Sequence, residues 1–215
     1  VTALGNIHLG RDIEALDSHP DTNALYAASG DDTDKQGSLY TVDKVTGELL
    51  SELDITGFTE VDALSFHPDG TLWGWDQRQG LLTINTNDAV GTLRVAEKNR
   101  EIEDLTWDTA GEVLYAVENN HVKGPDSEPD QNGVTLWAYT VNTDQIEAKC
   151  SELLAQSPEI EALEALPDGT LMFGFHNKGQ LVLGTVDPNT CEVVDIQEIE
   201  TAGYNDIEGI AAVCD

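Results

Sequence analysis

Positively charged residues are scarce in this sequence. Its 215 residues include 10 Lys and Arg against 41 Asp and Glu, which gives a formal net charge of −31. A field of that sign repels nucleic acid and anionic membrane surfaces, so both are excluded as partners. The charge is typical of a solvating surface in salt-rich water, and it also suits divalent cations or basic partners. Self-repulsion at this charge density predicts that salt or calcium raises the stability of the folded state.

Long apolar runs, catalytic signatures and paired cysteine motifs are also missing. No apolar run is longer than a strand requires, so no insertion into a membrane is predicted. Gly-x-Ser-x-Gly, HExxH and glycine-rich phosphate loops do not occur, which favours a protein without enzymatic activity. Cys150, Cys191 and Cys214 lack CxxC spacing. One disulfide plus a free thiol fits a secreted protein, but the spacing does not identify the pair.

One five-residue pattern recurs five times along the chain. It consists of an acid, Ile or Val, a second acid, a small residue, and Leu or Ile. The copies begin at Asp12, Glu60, Glu101, Glu159 and Asp206, and the third copy departs from the pattern by placing Asp104 at the small position. A spacing of 41–58 residues, built from short alternating segments, is typical of the blades of a β-propeller.

Between the copies, alternating apolar and polar residues and frequent turn signals predict antiparallel strands. We therefore predict an all-β fold, a small single-domain propeller over residues 1–215 with four full four-stranded blades. The blades are expected at about residues 13–59, 61–100, 102–158 and 160–205, and closing strands at residues 1–10 and 207–214. These closing strands either form a partial fifth blade or close a four-bladed ring.

An acid occupies the third position of every copy of the pattern. Equivalent residues of successive blades lie on a circle around the propeller axis, so these acids form a ring: Glu14, Asp62, Glu103, Glu161 and Glu208. Like charges that close together disfavour ionisation unless something neutralises them. Two interpretations are open. The carboxylates bind a central Ca²⁺, a hard cation with oxygen ligands, or they accept hydrogen bonds from backbone N–H groups of the neighbouring blade.

Two acidic loops are expected after the second strands of the first and third blades. Their candidate calcium ligands are Asp31, Asp32 and Asp34 in the first loop and Asp126, Glu128 and Asp130 in the second. From Asp32 to Asp43 the spacing partly matches an EF-hand calcium loop, but the flanking helices of that motif are missing. The alternatives are a surface Ca²⁺ site at one or both loops and a solvated acidic hairpin.

Three side chains are candidates for ligand binding: His176, Trp75 and Trp137. His176 ends the expected second strand of the fourth blade, in the position of Ser29, Asp76 and Glu118 in the other blades. It is therefore expected near the face that carries the acidic loops. Aromatic rings at the rim of a propeller are suited to stacking on a sugar.

The repeat extends beyond the pentapeptide into a Pro-Asp-Gly-Thr-Leu turn, seen at Pro68 and Pro167. With these residues the chain resembles the bacterial secreted β-propellers with NHL-like or YVTN-like repeats. It is more distantly similar to the calcium-dependent gluconolactonase, phosphotriesterase and phytase propellers. The first resemblance implies a propeller over nearly the whole chain. The second implies a central metal held by a Glu before a small residue on an innermost strand. Its counterparts in this chain are Glu14, Glu103, Glu161 and Glu208.

The leading hypothesis is a non-enzymatic, calcium-stabilised binding module that recognises a protein or carbohydrate ligand through one face. Its expected location is extracellular, periplasmic or at the cell surface. One alternative is a Ca²⁺-dependent hydrolase of phosphate esters or lactones, in which the metal polarises the substrate and activates water. Another is a structural or assembly domain whose terminal strands pair with a second chain. The sequence predicts no oligomeric state.

Overall fold

The computed structural model describes residues 8, 10–98, 100–122, 131–151, 153, 159–177, 180–199 and 207–212. Within these residues the chain forms sixteen β-strands and no helix, and accordingly no helix that is long and apolar enough to cross a membrane. The strands group into four antiparallel four-stranded sheets, each in chain order. The prediction of an all-β propeller with four four-stranded blades is confirmed.

Each blade is a meander whose first strand lies innermost. The first blade consists of β1 (Ile13–Ser18), β2 (Leu25–Ser29), β3 (Ser38–Val42) and β4 (Leu49–Ile55). The second consists of β5 (Val61–Phe66), β6 (Leu72–Asp76), β7 (Gly80–Ile84) and β8 (Gly91–Ala96). The third consists of β9 (Ile102–Trp107), β10 (Val113–Val122), β11 (Gln131–Thr140) and β12 (Gln145–Cys150). The fourth consists of β13 (Ile160–Ala165), β14 (Leu171–Asn177), β15 (Gln180–Asp187) and β16 (Glu192–Ile199).

The Pro-Asp-Gly turns connect the first and second strands of the second and fourth blades, and their geometry is the same in both. In the β5–β6 turn, Asp69 accepts a hydrogen bond from Thr71 N at 2.9 Å and Gly70 has φ 86°. In the β13–β14 turn, Asp168 accepts from Thr170 N at 3.0 Å and Gly169 has φ 88°. A glycine meets the positive φ without strain, so each turn sets the register of the hairpin that follows it.

The apolar core lies between successive blades. Around the axis, β1 contacts β5, β5 contacts β9, and β9 contacts β13. Three buried clusters fill the spaces between these neighbours, and each takes residues from two adjacent blades. Representative pairs are Leu39 with Leu64, Trp73 with Leu105, and Leu136 with Leu163. Burial of these side chains is the main favourable term that holds blade to blade.

The C-terminal segment, residues 207–212, lies between the fourth and first blades. Ala212 N donates to Glu164 Oε1 at 3.1 Å, and Ser18 Oγ donates to the Ala212 carbonyl at 2.5 Å. Since Glu164 belongs to β13 and Ser18 to β1, the segment joins the two ends of the series of blades. Of the predicted closing strands, residues 1–7, 9, 213 and 214 lie outside the described residues.

The innermost strands are also connected by a repeated hydrogen bond. In each full blade, the residue directly after the pentapeptide accepts a backbone N–H from the next inner segment, and we call these bonds the blade clips. The four blade clips are Phe66 N to Asp17 at 2.5 Å, Trp107 N to Ser65 at 3.1 Å, Ala165 N to Thr106 at 2.8 Å, and Ala212 N to Glu164 at 3.1 Å. Four different acceptor side chains thus perform the same structural task.

A disulfide joins the outer parts of the third and fourth blades. Cys150, at the end of β12, is bonded to Cys191, in the turn between β15 and β16, with their Cα atoms 5.6 Å apart. The structure therefore identifies the pair that the sequence left open. Cys214 lies outside the described residues.

The blade clips are expected to contribute measurably to stability. Thr106 is 2% exposed, so Thr106→Val leaves Ala165 N–H buried without its acceptor while keeping the shape of the side chain. We expect the free energy of unfolding to fall by about 1–3 kcal/mol, measured by urea denaturation. Thr92→Val, on the exposed face of β8, is the matched control and should change it by less than about 0.5 kcal/mol. Equal effects would contradict the role of the clip.

Candidate functional site

Each blade contains a β-bulge at the ring acid. In the first blade, pairing between β1 and β2 passes from Ile13 opposite Ser29 directly to Ala15 opposite Ala28, which leaves Glu14 without a cross-strand partner. The same irregularity occurs at the equivalent residue in the other three blades: Asp62, Glu103 and Glu161. A bulge redirects the side chain of the extra residue. It therefore gives these four acids a common orientation that the flanking strand residues do not share.

The ring acids are electrostatic neighbours in the order that the repeats predict. Glu14 interacts with Glu208 on one side and with Asp62 on the other. Asp62 interacts in turn with Glu103, and Glu103 interacts with Glu161. The structure thus brings all five together as one group, the carboxylate ring. Their role as metal ligands stays a prediction.

Burial raises the pKa of three ring carboxyls far above the usual range. The pKa of Glu14 rises to about 9, because of burial first and then the charges of Glu208 and Asp12. The pKa of Asp62 rises to about 8 through burial and the charges of Glu60 and Glu103. Burial also raises the pKa of Glu103, to about 7. Removing a carboxylate from water and placing like charges beside it both disfavour the ionised form.

Asp62 has an unsatisfied oxygen. Its side chain is 7% exposed, and Oδ2 has no hydrogen-bond partner. A bound proton or a cation would remove this penalty. Across the described ranges, no three His, Cys, Asp or Glu side chains stand in a ready-made metal-binding arrangement. A cation at the ring would therefore have to draw carboxylates together from their present positions.

Two arginines lie at the rim of the carboxylate ring. Arg78 forms ion pairs with Asp31 and, at 2.8 Å, with Glu60. Arg100 forms ion pairs with Glu97 at 3.4 Å and Glu118 at 3.3 Å. These cations neutralise acids around the ring, while Glu14, Asp62 and Glu103 keep raised pKa values.

The first acidic loop lies beside the ring. Its Asp31 contributes to the raised pKa of Asp62, and the backbone N–H of Asp32 donates to Asp12 at 2.6 Å. Asp34 is exposed to solvent. In the second acidic loop, the predicted ligands Asp126, Glu128 and Asp130 lie outside the described residues.

At this end of the channel, the third and fourth blades are connected by an amide side chain. Asn119 donates to the Ile160 carbonyl at 3.1 Å and accepts from Ile160 N at 3.1 Å. It also forms a hydrogen bond with Glu103, which partly opposes the rise in the pKa of that carboxyl. Asp104, which departs from the pentapeptide pattern, accepts from Leu163 N at 2.6 Å. This hydrogen bond to the fourth blade explains why an acid replaces the small residue in the third copy of the pentapeptide.

The two candidate tryptophans lie close together between the second and third blades. Trp75 is 3% exposed and belongs to the buried cluster there, against which Trp137 packs. The indole N–H of Trp137 donates to Glu118 at 2.6 Å, and the Arg100 guanidinium lies 4.0 Å from its ring centroid. Both tryptophans line one small apolar cavity with Arg100 at its edge.

The predicted equivalence of His176 with Asp76 and Glu118 is wrong by one residue. Ile160 pairs with Phe175, as Val61 pairs with Asp76 and Ile102 with Glu118. The reason is that the Pro-Asp-Gly turn sets the register. Counted from that turn, Phe175 occupies the equivalent position. The side chain of His176 lies outside the described residues.

A second group of carboxyls follows the ring acids along the inner strands: Asp17, Asp104 and Glu164. Burial raises the pKa of Asp17 and of Glu164 to about 7, and it raises that of Asp104 well above the usual range. Sequence reasoning did not single out Asp17 or Glu164. The available signal was the residue after each pentapeptide, which is an acid or a hydroxyl residue in the four full blades.

No protein-family model and no curated protein matches this sequence. Solved structures match it in fold. A chain of a nidogen/laminin complex gives a TM-score of 0.62 at 9% identity, over 94% of this chain and 85% of that chain. Hydrazine synthase of Kuenenia stuttgartiensis gives a TM-score of 0.53 at 13% identity, and the match covers 92% of this chain but only 51% of that chain. The WD40 repeats of RRP9 give a TM-score of 0.51 at 12% identity, over 91% of this chain and 66% of that chain. At these identities the similarity shows the fold alone.

The raised pKa values predict an unusual dependence of stability on pH. The unfolded chain releases these carboxyl protons near pH ~4, whereas the folded chain retains those of Glu103, Asp62 and Glu14 up to about pH 7, 8 and 9. The folded state therefore binds more protons over this interval, so the free energy of unfolding falls as pH rises.

Urea denaturation at constant low ionic strength, without divalent cations, measures this slope. We expect Glu14→Gln to make the decline shallower, because one carboxyl no longer titrates. Glu147→Gln, exposed on β12, should leave the slope unchanged. Stability that rises between about pH 5 and about pH 9 would contradict the burial of the ring.

Proposed function

We propose that this domain is a non-enzymatic recognition module that binds a basic surface of a protein partner through the channel end with the carboxylate ring. The propeller fold is consistent with a binding or assembly module, and fold alone does not choose among ligands. The choice of a basic protein depends on the charge of that channel end. Carbohydrate recognition, for which the sequence offered Trp75 and Trp137, becomes an outcome of the test, because Trp75 is buried.

The observation that carries the proposal is the concentration of acids at one channel end. The ring carboxyls are surrounded by further acids, including Glu60, Glu101 and Glu159, which interact electrostatically with ring members. The ion pairs of Arg78 and Arg100 neutralise only part of this rim. Together with a formal charge of −31, this arrangement attracts and orients a basic partner during diffusional encounter.

Calcium is the proposed stabilising ion of the same end. Ca²⁺ binds six to eight oxygens in flexible geometry, and the unsatisfied Oδ2 of Asp62 is an oxygen that such an ion would satisfy. Asp62, Glu14 and Glu103 would hold the ion, and Glu161 and Glu208 would complete the oxygen set. The rim acids outside the ring would contribute their negative charge to partner binding.

An extracellular, periplasmic or cell-surface location belongs to the proposal. The disulfide between Cys150 and Cys191 supports it, because such bonds persist mainly in oxidising compartments. The resemblance of the repeats to secreted NHL-like or YVTN-like propellers supports it as well. One structure of similar fold is a nidogen/laminin complex, which supports a protein as the type of partner.

The calcium component predicts an ion-specific gain in thermal stability. We expect millimolar CaCl₂ to raise the unfolding midpoint more than MgCl₂ or NaCl at matched ionic strength, because an ion that binds only the folded state stabilises it. Asp62→Asn should abolish the excess, and Glu147→Gln should preserve it. Equal rises with all three salts would mean charge screening alone and would contradict a calcium site.

The partner component predicts that binding depends on where a charge is placed. We expect the domain to bind basic proteins on an array that also contains neutral proteins, acidic proteins and glycans. Glu101→Lys, at the exposed rim, should weaken binding about tenfold, which corresponds to about 1.4 kcal/mol. Glu147→Lys makes the same charge change on β12, the outermost strand of the third blade, and should have a smaller effect.

Three results would contradict the proposal. The first is binding to glycans alone, and the second is an equal loss of binding for the two lysine variants. The third is EDTA-sensitive turnover of a model phosphomonoester or lactone, which would favour the metal-dependent hydrolase. Salt provides an internal check, because association steered by charge slows as ionic strength increases.

A further inference from the structure

The channel end opposite the carboxylate ring contains a cavity of about 310 Å³. Residues from all four blades and from the C-terminal segment line it, so it lies on the axis of the propeller. The side chains that matter chemically are Asp17, Glu164, Phe66, Trp107, Pro20 and Pro68. Asp17 lies three positions after the ring acid Glu14 on the same strand, a distance of about 10 Å. The cavity is therefore distinct from the carboxylate ring.

Three carboxyls line this cavity: Asp17, Asp108 and Glu164. Asp17 is 8% exposed and accepts backbone hydrogen bonds from Ser18 N at 2.6 Å and Phe66 N at 2.5 Å. Glu164 accepts from Ala212 N at 3.1 Å and from Thr106 Oγ1 at 3.4 Å. A carboxylate has about four acceptor positions, so both groups can accept further hydrogen bonds. The described residues that line the cavity include no Lys or Arg.

Part of the cavity wall is apolar. Phe66 and Trp107 contribute aromatic carbon, and Pro20 and Pro68 contribute aliphatic carbon. Trp107 is 4% exposed. Apolar wall carbon next to carboxylates favours a ligand that combines an aliphatic stem with a cationic head.

We propose that this cavity binds a primary alkylammonium group, of the kind carried by the side chain of a lysine residue. The ammonium donates to Asp17 and Glu164, and the described lining contains no Lys or Arg that would pair with them. The aliphatic stem lies against the proline and aromatic walls. The volume is at the lower end of the range for small-molecule sites, which suits one side chain rather than a folded partner. This site is separate from the proposed function, and its test does not depend on that function.

Backbone NMR provides a local test of the site, because the amides of Phe66 and Ala212 donate to the two carboxyls. The ¹⁵N-labelled domain is titrated at pH ~8 with N-acetyl-lysine methylamide, n-butylamine, or the neutral analogue N-acetyl-norleucine methylamide. Burial holds the pKa of both carboxyls at about 7, so both are mainly ionised there. We expect saturable shifts of these two amides with both amines and none with the norleucine analogue. Tighter binding of the lysine derivative would indicate a peptide source, and equal binding a free amine.

Two variants at opposite ends of the channel provide the controls. Glu164→Gln keeps an acceptor for Ala212 N–H but removes the charge, so we expect amine binding to weaken about tenfold. Glu103→Gln, in the carboxylate ring, should leave it unchanged. If Glu164→Gln does not fold, Asp17→Asn makes the equivalent change on the other side of the cavity.

The proposal would be overturned by any of three results. These are equal shifts with the norleucine analogue, shifts confined to amides of the carboxylate ring, and no shift at ligand concentrations well above millimolar. A response of the Phe66 and Ala212 amides to CaCl₂ but not to the amines would assign the cavity to a metal and would also overturn it.

Discussion

Closure of the propeller forces like-charged carboxyls together around one axis, and the rest of the structure accommodates that constraint. The same pentapeptide begins each inner strand, and a bulge at its third residue gives the acid the same orientation in every full blade. Burial then raises the pKa values of Glu14, Asp62 and Glu103. Because an acid repeats at the same position in every blade, the closed ring brings like charges together and disfavours their ionisation, which a single blade would not do.

The buried carboxyls at the two ends of the channel are stabilised in different ways. Away from the carboxylate ring, Asp17 and Glu164 accept backbone N–H groups of the neighbouring inner segment, so buried acids also connect the blades. At the ring, Asn119 forms a hydrogen bond with Glu103, Arg78 pairs with the neighbouring Glu60, and one oxygen of Asp62 has no hydrogen-bond partner. A buried acceptor without a partner is costly, which is why a proton or cation at the ring follows from the architecture.

The pentapeptide predicted the fold and the neighbourhood of the ring acids, because equivalent positions in a propeller must lie at the same height. It did not predict the bulges, since a register shift of one residue depends on the partner strand. The same difficulty produced the error at His176, where the turn and not the end of the strand sets the register. The pairing of Cys150 with Cys191 needed the blade-to-blade arrangement, because the two are far apart in the chain.

The most direct test of this account is a carbon-detected NMR titration of the side-chain carboxyls in the absence of divalent cations. We predict that Glu103, Asp62 and Glu14 titrate near pH 7, 8 and 9. If these ring acids titrate instead in the ordinary carboxyl range near pH ~4, they are well solvated. In that case closure of the propeller does not force buried like charges together, and the main reason for a cation at the ring disappears.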